Sequence, residues 1–456
     1  MENKLIAALG TAQGTGGIAI IRLSGSGSWE LIKKIFLPKT EMDWENLKGY
    51  TLRYGKIQYK GRLYDEVLVA LMKAGGSYTG EEMAEIHCHG GSVSGRRILE
   101  LLFSLGAALA EAGEFTKRAF LNGRLDLSQA EAVIETIEAG SERDIELSLR
   151  RLEGNKGKEF LSIRQELLAL IAEAEAVIDF PEDGLDDAIT QKIAEKSRSI
   201  IDKLDMAIKR AEEGRIYKEG LKTVILGRTN VGKSSLLNAL LREERASVTD
   251  IPGTTRDTIE EKISLRGIPL IIVDTAGIRE TADPVEKMGV NRSREALDNC
   301  DLVLAVFDAG QGFTSDDKEI LEHLKGKKAV ALLNKCDIRD TAPELEAAVA
   351  PLPYIYISAK EGLNLESLGE IIEKMFLSGA IKENDSGWVG NIRHKEIFLR
   401  SKHHLKEVLA AIEAGAPLDF QVIDLRSALE VMGEISGETI SSEIIDRIFS
   451  DFCIGK

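Results

Sequence analysis

Residues 222–238, KTVILGRTNVGKSSLLN, run from an apolar strand through a glycine-rich turn into an apolar-periodic helix without a break. The turn, Gly227–Ser234, matches G-x-x-x-x-G-K-[ST], and its place between strand and helix makes that pattern specific. Such a turn needs a buried strand feeding a crossover helix, so it commits the middle of the chain to an α/β sheet. Its backbone amides cradle phosphates at a helix N-terminus. Lys233 reaches the β- and γ-phosphates and the Ser234 hydroxyl ligates Mg²⁺. Asn230, Val231, Gly232 and Ser235 complete the loop and the first helical turn. The competing reading is a structural glycine turn with an incidental lysine.

Four further elements follow in order. PGTTRD supplies Thr255, or its neighbour Thr254, as a hydroxyl able to meet Mg²⁺ and the γ-phosphate. In DTAG, Asp274 holds Mg²⁺ through water and the Gly277 amide senses the γ-phosphate, with Thr275 and Ala276 between them. NKCD places Asn334 and Lys335 ahead of Asp337, whose carboxylate accepts from the N1–H and exocyclic amine of guanine. Adenine offers neither donor there, so GTP is the expected substrate. SAK, residues Ser358, Ala359 and Lys360, closes the base pocket through the Ala359 amide. After DTAG, where many GTPases carry a water-orienting glutamine, stands Ile278, which cannot hydrogen-bond water. Glu280 and Glu286 are the candidates to replace it, against the plainer reading of solvated loop acids.

Around these motifs, IPLIIVD, DLVLAVFDAG, KAVALLNK and YIYISAK are short apolar runs ending in loop chemistry, the pattern of a parallel sheet with crossover helices. Upstream, IAIIRL reads as a buried strand and LRYGKIQYKGRLYDEVLVALM as a hairpin about Lys60–Gly61. The texture then turns helical, with SQAE giving Ser128 and Glu131 capping-box spacing. The expected fold class is multidomain α/β and α. An N-terminal α+β domain takes 1–119, and a helical-bundle domain comes in two parts, 120–216 and 379–456. Between those parts sits an inserted Ras-like P-loop G domain, 217–378, doubly wound with a mostly parallel sheet. Insertion is tolerated because a domain's two ends often lie close together.

At 456 residues the chain has room for several cores, and 43% hydrophobic with 29% charged residues is ordinary globular composition. A formal charge of −16 argues against a general nucleic-acid coat while leaving local basic patches possible. Cys88, Cys300, Cys336 and Cys453 lack metal or disulfide spacing and read as reduced thiols. No apolar run reaches bilayer length, and the first apolar stretch is too short for a signal peptide, so a cytoplasmic protein without membrane attachment is expected.

The loop with Asn230, VTDIPGTTRD, DTAGIRE with VEKMG, GEFTKRAFLNGRLDLSQAEA, AVIDFPED and FCIGK together resemble the MnmE (TrmE) family of tRNA-modifying GTPases along nearly the whole chain. The resemblance implies a potassium-stimulated GTPase that dimerises through its N-terminal domains. It implies an FAD-dependent MnmG-type partner in a heterotetramer. Together the two place an aminomethyl or carboxymethylaminomethyl group on C5 of the tRNA wobble uridine. The one-carbon unit would come from a tetrahydrofolate derivative, the 5-formyl or 5,10-methylene form. Residue by residue, Glu286 matches the water-orienting acid, and Asn230 matches a K⁺ ligand assisted by oxygens of Thr249, Ile251 and Thr254. Arg22, Glu85, Arg124 and Lys456 match the folate site, with Arg124 standing where some members have lysine. Folate carboxylates suit the three cations, and a guanine-like pterin edge suits Glu85.

The stretch SDFCIGK, residues 450–456, follows Ile448–Phe449 and carries Phe452–Cys453–Ile454, apolar almost to its end, which predicts docking instead of fraying. Gly455 and Lys456 argue against prenylation of Cys453. Docking would bring Lys456 to the folate site and Cys453 near the one-carbon chemistry as a catalytic thiol; the plainer reading is a small buried packing residue. HCHGG puts His87 and His89 on one strand face, read as structural for want of a third metal ligand. RHKEIFLRSKHHLK, residues 393–406, is locally basic and could meet tRNA phosphates or be a solvated helix face. The alternative function is a regulatory GTPase switch in ribosome or RNA assembly.

Overall fold

The computed structural model describes residues 4–12, 14–44, 46–47, 49–153, 158–180, 186–245, 261–273, 296–338, 342–377 and 390–456. Two compact units emerge, one of 1–138, 151–155 and 426–456, the other of 139–150 and 156–425.

The first unit is built on seven strands: β1 Ile6–Leu9, β2 Ile18–Ser24, β3 Phe36–Pro38, β4 Thr51–Tyr59, β5 Arg62–Met72, β6 Met83–His89 and β7 Ala108–Leu109. Their order is β3-β4-β5-β6-β2-β1-β7, antiparallel except for the β1–β7 pair. The β4–β5 hairpin turns at Lys60–Gly61 as its alternating pattern requires. Helices Ser28–Ile35 and Ser94–Ser104 cover one face through Ile32, Ile98 and Leu102, which pack on Ile21, Leu23, Val69 and Ile86. Because side chains alternate along a strand, residues between these core positions point the other way. Arg22 on β2 is therefore paired across from Glu85 on β6, and Ile20 from His87, on the opposite face, where Ile6, Ala8 and Met83 pack with Phe115.

A second core in this unit joins helices Leu127–Glu138 and Ser442–Ser450 through Leu127, Ala130, Ile445, Phe449 and Phe452. The first of these helices starts two residues earlier than the SQAE spacing suggests. Gln129 N donates to Asp126 Oδ1 at 2.8 Å and Asp126 N to Gln129 Oε1 at 3.0 Å, so the reciprocal cap is Asp126/Gln129. Ser128 and Glu131 lie inside the helix and are buried. A carboxylate two residues upstream takes the role expected of the serine, since Asp and Ser cap about equally well.

The tail is docked within this unit. Gly113 N donates to Cys453 O at 3.3 Å, Phe115 N to Lys456 O at 3.1 Å, and Ala112 bridges Ile454. Gly455 has φ 93, and a Cβ there would lie 2.2 Å from Leu9 O, so only glycine lets the tail come this close to the end of β1. Cys453 is exposed, which removes the reading of a buried packing residue.

The second unit contains a six-stranded sheet: β8 Leu221–Leu226, β9 Glu261–Leu265, β10 Ile268–Ile272, β11 Leu302–Asp308, β12 Ala329–Asn334 and β13 Tyr354–Ile357. The order is β13-β12-β11-β8-β10-β9, all parallel except for β9 against β10. Every residue of β11 and β12 is buried, as expected of strands covered on both faces. β9 is the strand that the apolar runs did not reveal; as an edge it carries Glu261, Lys262 and Ser264 in a five-residue segment too short and polar to stand out. Also in this unit, helix Asp186–Glu219 packs along helix Ile392–Glu413. Lys395 pairs with Glu212 at 2.7 Å, Lys402 with Asp205 and His404 with Asp424, so part of the basic run is used in holding helices together. Among the described residues no helix is long and apolar enough to cross a membrane.

Candidate functional site

Gly227–Ser234 links β8 to helix Lys233–Arg245 at the C-terminal edge of the parallel sheet, where ligands bind in open α/β folds. The Lys233 ammonium donates to Gly227 O at 2.7 Å and Arg228 O at 2.8 Å, curling the loop around itself. Burial holds its pKa below the usual lysine value, because a charge withdrawn from water is costly unless an anion meets it. Gly232 has φ 105, and a Cβ there would sit 2.2 Å from Asn334 Nδ2. Any side chain at this position would push the phosphate loop off the base-binding loop.

Asn334, at the end of β12, is buried and joins three distant segments. Its Nδ2 donates to Val231 O at 2.7 Å, and its Oδ1 accepts from Ala359 N at 2.9 Å. Lys335 lies across the same junction, donating to Asn230 O at 2.7 Å and to Asp308 Oδ2 at 2.7 Å. Both Asn230 and Lys335 are in the left-handed region, φ 64 and 68. Asp337 stands exposed beyond them, while Ser358 Oγ accepts from Glu361 N at 3.3 Å and shapes the turn that carries Lys360. A cavity of about 480 Å³ adjoins, lined by Ser235, Asn238, Ala239, Arg242 and the turn 359–362 with Leu365. The phosphate loop is braced from behind as well, since Arg228 Nε lies 2.7 Å from Asp317 Oδ1, a carboxylate that also caps helix Ser315–His323.

In the first unit, Arg22 Nε donates to Glu85 Oε1 at 2.9 Å and Arg22 Nη1 to Gly455 O at 3.2 Å. His87 Nε2 lies 3.4 Å from Glu85 Oε2. Burial and then the neighbouring Arg22 depress the Lys456 pKa, with Glu85 and Cys453 acting the other way, so Lys456 belongs to the same cluster. Arg124 approaches from helix Glu114–Leu121 and the turn after it, over the Tyr78 ring at 5.3 Å. His89 points elsewhere: its Nδ1 is 2.6 Å from Asp65 Oδ1. No group of three or more His, Cys, Asp or Glu side chains suited to a metal occurs among the described residues.

Residues 127–453 match the family described as the MnmE helical domain, and residues 5–124 match the GTP-binding protein TrmE N-terminus. Curated relatives named tRNA modification GTPase MnmE include one from Desulforamulus reducens, 44% identical over 461 residues and spanning 100% of both chains. One from Heliobacterium modesticaldum is 46% identical over 466 residues, again with 100% of both chains, and one from Clostridioides difficile is 45% identical over 453 residues with 99% of both. This chain belongs to the MnmE (TrmE) family of tRNA modification GTPases.

For a member of the MnmE family, the described geometry brings the phosphate loop, NKCD and SAK into one site. Thr249, Ile251, Thr254, Thr255, Asp274, Thr275, Ala276, Gly277, Ile278, Glu280 and Glu286 lie outside the described residues. Asp308, Asp317 and Tyr78 are contacts that motif reading passed over. The signal for Asp308 was present: an acid ends the otherwise apolar strand LVLAVFD.

Proposed function

We propose that this MnmE-family chain binds GTP between its phosphate loop and the NKCD and SAK turns and hydrolyses it to drive modification of the tRNA wobble uridine at C5. The observation that carries the reading is Asn334, buried and hydrogen-bonded to Val231 O and Ala359 N, which ties the phosphate-loop turn to the SAK turn and supports a shared site. Lys233 and the loop amides hold the β- and γ-phosphates, and Asp337 reads guanine. Ser234 and Thr255 would hold Mg²⁺, and their hydroxyl oxygens suit that hard cation. Bound Mg²⁺ would supply charge neutralisation at the phosphates. The Asn230 side chain has no partner among the described residues, leaving its amide oxygen available to K⁺ with oxygens from Thr249, Ile251 and Thr254. Glu286 would orient the attacking water.

The Arg22, Glu85, Arg124 and Lys456 cluster is proposed to hold a tetrahydrofolate derivative, 5-formyl or 5,10-methylene. Three cationic side chains with one carboxylate fit an anionic ligand that also offers a pterin edge. The exposed Cys453 beside Lys456 is proposed as a thiol serving the one-carbon chemistry. An FAD-dependent MnmG-type partner, a homodimer and a heterotetramer complete the proposal. So does an insertion of residues 217–378 into a helical domain of 120–216 and 379–456, supported by helices before and after the sheet packing on each other.

The test is nucleoside analysis of tRNA from cells lacking the protein, with rescue by wild type and by Asp337→Asn. Loss of modified wobble uridine restored by wild type alone is the expected result. Unchanged nucleosides in the deletion would overturn the tRNA reading, and full rescue by Asp337→Asn would remove Asp337 from base recognition.

A further inference from the structure

Tyr78 belongs to no motif, yet two arginines converge on it. Arg22 Cζ lies 5.8 Å and Arg124 Cζ 5.3 Å from its ring centroid, inside the range over which an aromatic face attracts a cation. The ring is held in place. Its hydroxyl is 3.0 Å from Thr116 Oγ1, and its neighbours Ser77 and Thr79 are fully buried. Ser77 Oγ donates to Glu81 O at 2.5 Å, Thr79 Oγ1 meets Ser24 Oγ at 2.7 Å, and Asn122 Nδ2 donates to Thr79 O at 2.7 Å. Arg124 Nη1 also donates to Tyr78 O at 3.0 Å, so this arginine is tied to both the ring and the backbone of one residue.

The charges around the ring are unbalanced. Arg22 is neutralised by Glu85 at 2.9 Å, but among the described residues no carboxylate pairs with Arg124. Two guanidiniums gathered at one site repel each other, and the negative face of Tyr78 offsets part of that cost. A pre-placed, unneutralised arginine is an anion receptor whose ordering is complete before the ligand arrives.

We propose that Tyr78 is a positioning residue that presents Arg124 to the glutamate carboxylates of a folate-type ligand while keeping Arg22 on Glu85 at the pterin end. This rests on the folate reading of the cluster. The ring face is the operative feature, and the hydroxyl bond to Thr116 only steadies it.

The experiment titrates the full-length protein with 5-formyltetrahydrofolate and, separately, with a tetrahydropterin lacking the p-aminobenzoylglutamate portion. Tyr78→Leu should weaken 5-formyltetrahydrofolate about tenfold while leaving the tail-less pterin within about twofold of wild type. Tyr78→Phe should keep both affinities, and Tyr78→Leu should add nothing on an Arg124→Gln background. Equal weakening of both ligands would reveal a general packing role and overturn the proposal, as would loss in Tyr78→Phe matching that in Tyr78→Leu. If Tyr78→Leu does not fold, Arg124→Gln decides: undiminished binding of 5-formyltetrahydrofolate sinks the idea. Wild-type protein that binds neither ligand overturns the folate reading itself, and the proposal falls with it.

Discussion

Asp308 shows how one carboxylate at a strand end can set a nucleotide site. It is buried, accepts from Gly310 N at 3.1 Å, and holds the Lys335 ammonium against Asn230 O. Asp308→Asn keeps the shape and removes the charge, so Lys335 loses its anchor while Lys233 and the loop amides stay. The expected outcome is a GTP KM raised roughly fivefold, about 1 kcal/mol, with kcat little changed. Steady-state kinetics check it; a fall in kcat at constant KM would place Asp308 in the chemistry instead. Asn230 carries a second expectation at this scale. With no arginine finger evident in the motifs, a monovalent cation at its side-chain oxygen would offset developing charge. Hydrolysis should run faster in KCl than in NaCl at equal ionic strength, and Asn230→Ala should shrink that difference. Equal rates in the two salts would rule the cation out.

At the scale of elements, caps and pairs decide where helices and strands begin and what they tolerate. Because Asp126 and Gln129 cap each other, Asp126→Ala should cost about 1 kcal/mol of unfolding free energy, measured by chemical denaturation. Ser128→Ala should cost clearly less; the reverse order would restore the cap to Ser128. On β5, Asp65 is pushed up by burial, but its bonds from Ser94 and His89 outweigh that and its pKa is lowered overall. His89 is raised by the same contact. The sign follows for each partner. The His89 contribution is complete below the unfolded value of about 6.5 and fades as pH rises through the raised folded value. The Asp65 contribution is present above about 4 and fades as pH falls through the lowered folded value. The pair therefore stabilises most in mildly acidic solution, and the gap in denaturation midpoint between wild type and His89→Gln should narrow as pH is raised above neutral. A gap that widens with pH would contradict the pairing.

For the whole molecule, the nucleotide site and the docked tail lie in different compact units, which predicts separable losses. Cys453→Ser should leave GTP hydrolysis intact and abolish modified wobble uridine, since a hydroxyl ionises far less readily than a thiol. Wild-type modification in that strain would show the thiol to be dispensable. What the chain alone determined is contiguous: the strand–turn–helix around Lys233, the NKCD turn at the end of a buried strand, the apolar runs of the parallel sheet and the tail's apolar character. Each is short-range, since hydrophobic period and turn chemistry act over a few residues. The tertiary structure decided the pairings that link distant segments. Arg22 meets Gly455 across 433 positions, Asn334 meets Val231 across 103, and Tyr78 gathers Arg22 and Arg124 though neither spacing nor residue type announces it. Such contacts depend on strand register and on which loop ends share a sheet edge, and a one-residue shift in register would turn Arg22 into the core.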